Sequence, residues 1–248
     1  MAFEKLLKQK KTRKPGEPAP FKFDRLDAFD ADDPIMSLYR RAIDAVQQGK
    51  SDNESKRMRY FVMAQLAASA FARHPSLEAA ECGCFRGHST YMIATLMREA
   101  KVAGALHVFD SFEGLSEFRQ EDFNAYQTTE ESREKRRRQF AAAEDFVADN
   151  LKSFEFVKLY KGWIPERFGE VEDKKFSFVS IDVDMHQPTF DSLAFFYPRL
   201  AEGGTMFFDD YGSKNFPGAR KAIDDYLATQ PAPSFFMRMP FGSAILQK

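Results

Sequence analysis

Two short runs carry most of the chemistry open to this chain. Ser180-Ile181-Asp182-Val183-Asp184-Met185-His186 and Phe207-Phe208-Asp209-Asp210-Tyr211 each begin apolar and end in carboxylates. Residues 176–181 and 205–208 read as buried strands. In an open α/β sheet, ligands collect beyond the carboxyl ends of the strands. The two runs would therefore bring Asp182, Asp184, Asp209 and Asp210 to one rim. Crowded carboxylates repel each other unless a proton or a cation sits between them. A hard, oxygen-liganded ion such as Mg²⁺ suits such a set. One strand-end Asp alone would read as a helix cap; two acid clusters a βαβ unit apart favour the cation. His186 is the ionisable group next to them and the candidate general base. Its other reading is a helix-start histidine that orients Asp184, itself a supporting acid.

A second set of residues lies upstream. The stretch Glu81-Cys82-Gly83-Cys84-Phe85-Arg86-Gly87-His88-Ser89 follows an apolar run. Gly83 allows a sharp turn and a close ligand approach. Gly87 and Ser89 open a helix whose free N–H groups can hold an anion. The spacing is G-x-x-x-G rather than the G-x-G-x-x-G of dinucleotide folds, so a single carboxylate fits better than a pyrophosphate. The next apolar run ends in Phe109-Asp110-Ser111, and an acid there can accept hydrogen bonds from ribose hydroxyls. Asp110 could equally cap its loop. Taken together, the glycines and Asp110 predict an adenosine-bearing cofactor. The only tryptophan follows a third strand, in Lys161-Gly162-Trp163, where it could wall an adenine or pack in the core.

These residues need a frame. Residues 34–49 and 53–73 read as amphipathic helices. From residue 77 the pattern alternates. Strands are expected at 77–82, 105–109, 155–160, 176–181 and 205–208. Helices are expected at 88–100, 134–150, 188–200 and 218–229, with a polar loop over 111–132. Two short strands at 234–239 and 243–247 form a terminal hairpin. The pattern implies an α/β, Rossmann-like seven-stranded sheet with helices on both faces. The chain divides into a basic, Pro-rich arm (1–32), an N-terminal helical cap (33–75) and a cofactor-binding core (76–248), all within one globular domain. The cap helices would offer a dimer face or a lid for the acceptor.

Composition narrows the partners. With 36 basic and 37 acidic residues the net charge is −1, which argues against a general nucleic-acid or membrane-surface binder. Arg133–Arg138 (REKRRR) reads as a solvated helix face rather than a phosphate patch. No stretch is apolar enough to span a bilayer, and the N-terminus lacks the apolar core of a signal peptide. Cys82 and Cys84, two apart on one strand and its exit, make no comfortable disulfide. A reduced, cytoplasmic protein is the expectation.

Several segments resemble the S-adenosylmethionine-dependent sugar O-methyltransferases of the macrocin and mycinamicin type. They are Asp110-Ser111-Phe112-Glu113-Gly114, Lys161-Gly162-Trp163, and Asp209-Asp210-Tyr211-Gly212 followed by Pro217-Gly218-Ala219-Arg220-Lys221. The resemblance covers residues 60–230. It implies a class I methyltransferase fold that binds S-adenosylmethionine and Mg²⁺. It puts the metal on Asp182, Asp209 and Asp210, with Asp182 also directing the reaction. It puts the cofactor on Glu81, Gly83, Gly87, Ser89, Asp110, Ser111, Gly162 and Trp163. The implied acceptor is a hydroxyl of a small glycoside or of a nucleotide- or lipid-linked sugar. Two positions depart from the pattern. His186 stands where the family usually has an aromatic residue, and Met185 stands where catechol-type relatives carry a lysine. The competing readings are an NAD-dependent sugar oxidoreductase, a non-catalytic binding protein on the same fold, and a nucleic-acid methyltransferase.

Overall fold

The computed structural model describes residues 33–46 and 52–248, all of them in a compact unit spanning residues 31–248. The expected arm over 1–32 and the end of the first expected helix lie outside the described residues. Strands β1 (Glu78–Cys82), β2 (Leu106–Asp110), β3 (Val157–Lys161), β4 (Phe176–Ile181), β5 (Leu200–Phe208), β6 (Phe235–Arg238) and β7 (Ala244–Gln247) form one sheet in the order 3-2-1-4-5-7-6. The first five run parallel, and β7 is antiparallel to both β5 and β6. The seven-stranded α/β sheet with a terminal hairpin is thus as the sequence pattern implies.

Helices α1 (Pro34–Ala45), α2 (Glu54–Arg73), α3 (His88–Glu99), α4 (Glu130–Arg138), α5 (Glu144–Leu151), α6 (His186–Phe196) and α7 (Pro217–Leu227) pack around the sheet. Asp33 and Asn53 cap the first two through hydrogen bonds from backbone N–H groups, as short polar side chains do. Side chains alternate across a strand. Accordingly, Phe178 meets Phe71 of α2 on one face, while Val179 and Ile181 join the cluster of Phe196 and Ile223 on the other. Phe109, Phe168, Phe176 and Phe196 meet edge-on or tilted at centroid distances of 5.0–5.9 Å, so this part of the core is rich in aromatic rings. Cys82 and Cys84 are free and buried. No described helix is long and apolar enough to cross a membrane.

Two expected elements differ. The single helix over 134–150 is two helices, broken at residues 139–143. The break is where the loop after β2 docks: Leu115 N–H donates to Arg137 O at 3.3 Å, and Glu113 bridges to Ala141. The loop thereby satisfies carbonyls that a continuing helix would have used. The helix after β4 ends at Phe196 rather than at residue 200, because a tight turn containing Pro198 stops it, and β5 begins at once.

Candidate active site

The chain runs β1, β2, β3 outward, then returns to place β4 on the other side of β1. Such a switch point opens a crevice beyond the strand ends. Register sets what lies there. Cys82 pairs with Phe109 and Ile181, and Ile181 pairs with Phe208. One residue further on, Gly83, Asp110, Asp182 and Asp209 therefore leave the sheet side by side.

Gly83 adopts φ +82°, and a Cβ there would lie 2.0 Å from Asp182 O. Only glycine lets the β1 exit pass this close. Asp110 anchors the turn: one carboxylate oxygen accepts from Cys84 N (2.7 Å) and Phe85 N (3.1 Å), the other from Phe112 N (2.7 Å). A carboxylate has about four acceptor positions, so one is left for a ligand. Ser111 Oγ donates to Gly114 O (3.0 Å) and closes the next turn. Gly162 and Trp163, with Asp110 and Ser111, wall a cavity of about 510 Å³.

Glu81 sits behind this wall. It is fully buried, accepts from Thr90 Oγ at 2.5 Å and lines neither cavity at the rim. Burial pushes its carboxyl up to about 7, although hydrogen bonds from Ser89 and Thr90 pull the other way. Gly87, at φ +86°, starts α3. Ser89 opens onto a second, larger and open cavity of about 1630 Å³. His88, expected at the helix start, does not cap it. Its Nε2 lies 3.2 Å from Tyr39 O, and its ring stacks on Tyr60 at 4.5 Å.

The two cavities share Gly83, Phe85, Phe140, Asp182 and Asp184 as walls. At this junction carboxylate oxygens of Asp182, Asp184 and Asp210 lie within 4.8 Å of one another. Burial, then the charge of Asp210, raises the Asp182 carboxyl to about 7. Burial with the charges of Asp210 and Asp182 raises Asp184 well above the ordinary carboxylate range. Burial also raises Asp210, one of whose oxygens is buried without a partner. Asp184 holds φ +60°, which turns its side chain back to the junction.

The converging trio is not the one the resemblance implies. Asp209 is paired with Arg59 of α2 and stands apart from the other three, because successive residues leave a strand on opposite sides. His186 is also displaced from its expected place at the rim. Its Nε2 lies 3.5 Å from Asp225 on α7, its ring lies parallel to Phe190, and it walls neither cavity.

Three cations reach the larger cavity: two that sequence patterns did not single out, and one from the run expected to be a solvated helix face. Lys56 and Arg59 come from the first turns of α2, and Arg136 from the basic helix α4. Lys56 is only 8% exposed, and burial lowers it to about 8. The one available signal was a lysine on the apolar stripe of a helix. Of the remaining basic run, Arg133, Arg137 and Arg138 pair with Glu130 or Glu134. Arg136 instead lies over Phe140 and Phe216 at 4.9 and 5.1 Å.

A family model described as Macrocin-O-methyltransferase (TylF) matches residues 39–238. Demethyldecarbamoylnovobiocin O-methyltransferase of Streptomyces niveus is 24% identical over 153 residues, covering 60% of this chain and 57% of that one. The 8-demethyl-8-(2,3-dimethoxy-alpha-L-rhamnosyl)-tetracenomycin-C 4'-O-methyltransferase of Streptomyces olivaceus is 27% identical over 152 residues, covering 59% and 56%. The matched region thus spans little more than half the length of these curated relatives. Among solved structures, the calicheamicin methyltransferase CalS11 aligns with a TM-score of 0.63 over 93% of this chain and 99% of that one. At 16% identity that likeness is one of fold.

Proposed function

The chain belongs to the macrocin-O-methyltransferase family, and from that premise we propose that it methylates a hydroxyl of a sugar or glycoside. The donor is S-adenosylmethionine, and a divalent cation such as Mg²⁺ serves at the carboxylate rim. The observation that carries the reading is the meeting of two cavities at Gly83, Asp182 and Asp184. The smaller suits a cofactor and the larger an acceptor.

The residues fit both groups. Gly83 leaves room that a Cβ would fill, Asp110 keeps one acceptor position, and Trp163 offers a flat apolar wall. At the rim, the unpartnered buried oxygen of Asp210 and the raised carboxyls of Asp182 and Asp184 are what a missing positive charge produces. Asp182 and Asp210 belong to both the implied set and the converged trio, so they are the primary ligands. Asp209 can join them only if its pair with Arg59 parts.

When bound, the cofactor supplies a methyl group on a sulfonium, and the cation makes a nearby hydroxyl more acidic and fixes its direction. The chain's own part is alignment and proton transfer. Methyl transfer forms an oxygen–carbon bond, breaks the carbon–sulfur bond and releases one proton. Asp184 walls both cavities where they meet, so its carboxylate takes that proton. His186, turned toward Asp225, does not reach it. Tyr60, Phe85, Phe140 and Phe216 give the acceptor apolar walls that exclude water.

The test is transfer of labelled methyl to a panel of glycosides and nucleotide-linked sugars, with and without EDTA. S-adenosylhomocysteine should bind in calorimetry, and EDTA should stop turnover. Full turnover in EDTA would remove the cation, and no binding of S-adenosylhomocysteine would remove the reading as a whole.

A further inference from the structure

The polar segment after β2 is not a simple loop. Its Asp122 is 2% exposed and stands where α6 and α7 both begin. One carboxylate oxygen accepts from His186 N, the first residue of α6, at 2.7 Å. The other accepts from Arg119 N at 3.0 Å. The residue that should cap α6, Met185, provides no side-chain cap. Asp122 supplies it from 64 residues away, and its charge suits a helix N-terminus. On the α7 side, a Cβ on Gly218 would lie 1.9 Å from the same oxygen. Glycine there lets α7 close onto the carboxylate.

Other contacts secure the same segment to the same two places. Leu115, Met185 and Phe216 form a small buried cluster of their own. Asn124 Nδ2 donates to Asn215 O at 2.7 Å. Met185 and His186 directly follow Asp184, whose turn is tight: Met185 N lies 2.5 Å from Val183 O. Asn215 to Gly218 follow Asp209 and Asp210. A single buried carboxylate therefore ties together the two loops that deliver the rim acids.

We propose that Asp122 is the positioning residue of the carboxylate rim. By capping α6 and seating against Gly218, it fixes the spacing of the loops that bear Asp182, Asp184 and Asp210. The proposal rests on the cation reading above, and its test separates the two.

Mg²⁺ and S-adenosylhomocysteine are titrated separately by calorimetry into the full chain and its variants. Asp122→Ala should weaken Mg²⁺ binding by about 10–100-fold, the usual cost of losing a group that supports metal ligands, and leave S-adenosylhomocysteine affinity unchanged. Asp122→Asn should restore part of the Mg²⁺ affinity, since its amide oxygen can still cap α6 while its nitrogen cannot accept from Arg119 N. Gly218→Ala, with Asp122 intact, should reproduce the loss. Added to Asp122→Ala it should cost less than it does alone, the non-additivity expected of a shared contact, the remainder coming from His186 Cβ at 3.0 Å. If Asp122→Ala does not fold, the Asn and Gly218 variants decide. Wild-type uptake of Mg²⁺ with unchanged uptake by the Asp122 and Gly218 variants would overturn the role of Asp122 alone. Equal loss of both ligands would also overturn it, as a general collapse. A wild-type chain that takes up no Mg²⁺ would overturn the cation reading and this proposal together.

Discussion

Replacing Glu81 by Gln should stabilise the fold at pH 8 and do little at pH 4. Folding moves this carboxyl from its ordinary 4.5 to about 7, chiefly by burial. Below pH 4.5 it is protonated in the folded and unfolded chain alike. Between 4.5 and 7 only the unfolded chain gives up the proton, so stability falls as pH rises. Above 7 the whole difference has been lost. At about 1.4 kcal/mol per tenfold, the gap corresponds to about 3 kcal/mol. For a chain of this size that is roughly 6–12 °C in melting temperature. Gln keeps the oxygen that accepts from Thr90 but brings an amide nitrogen. Any unpaired donor would shift stability by the same amount at every pH, so the slope of the difference is the test, not its offset. The assay is thermal or urea unfolding of both proteins in EDTA from pH 4 to 8. A difference that stays flat across that range, or that shrinks as pH rises, would refute the buried-acid account. Because Glu81 walls neither cavity, S-adenosylhomocysteine affinity should stay near wild type in Glu81→Gln.

Further outcomes follow from the site. Gly83→Ala forces a left-handed Ala, at about 1–2 kcal/mol, and drives its Cβ onto Asp182 O; calorimetry should show weakened S-adenosylhomocysteine binding and unfolding scans a lower melting temperature. Asp184→Asn should slow methyl transfer by about 10²–10⁴-fold, the range for losing a general base, while His186→Gln should stay near the wild-type rate; the reverse order in a labelled-methyl assay would restore His186 as base. Asp210→Asn should cut Mg²⁺ affinity more than Asp209→Asn, because only Asp210 lies in the converged trio; equal losses in calorimetry would show that Arg59 releases Asp209 to the ion. Asp110→Ala leaves three backbone N–H groups without their acceptor and should lower both melting temperature and S-adenosylhomocysteine affinity.

The sequence by itself determined the sheet and the contents of its rim. Alternating apolar runs and helical stripes name strands and helices because burial has a period, two for strands and 3.6 for helices. Glycines and acids just beyond the apolar runs name the ligand edge, because strands in such sheets deliver their next residues to one side. What the pattern did not contain is which way each side chain turns once it leaves the strand. Asp184 faces the junction because its backbone is left-handed, Asp209 faces Arg59 because neighbouring residues diverge, and His186 follows α6 toward Asp225. Asp110, expected to hold a ribose, first holds the glycine turn together. Long-range partners were likewise invisible. Lys56, Arg59 and Arg136 reach the larger cavity from helices distant in sequence, and Asp122 caps a helix 64 residues on. Periodicity records only whether a residue is buried. The groups it meets there are fixed by the packing of separate elements, and only the tertiary structure decided them.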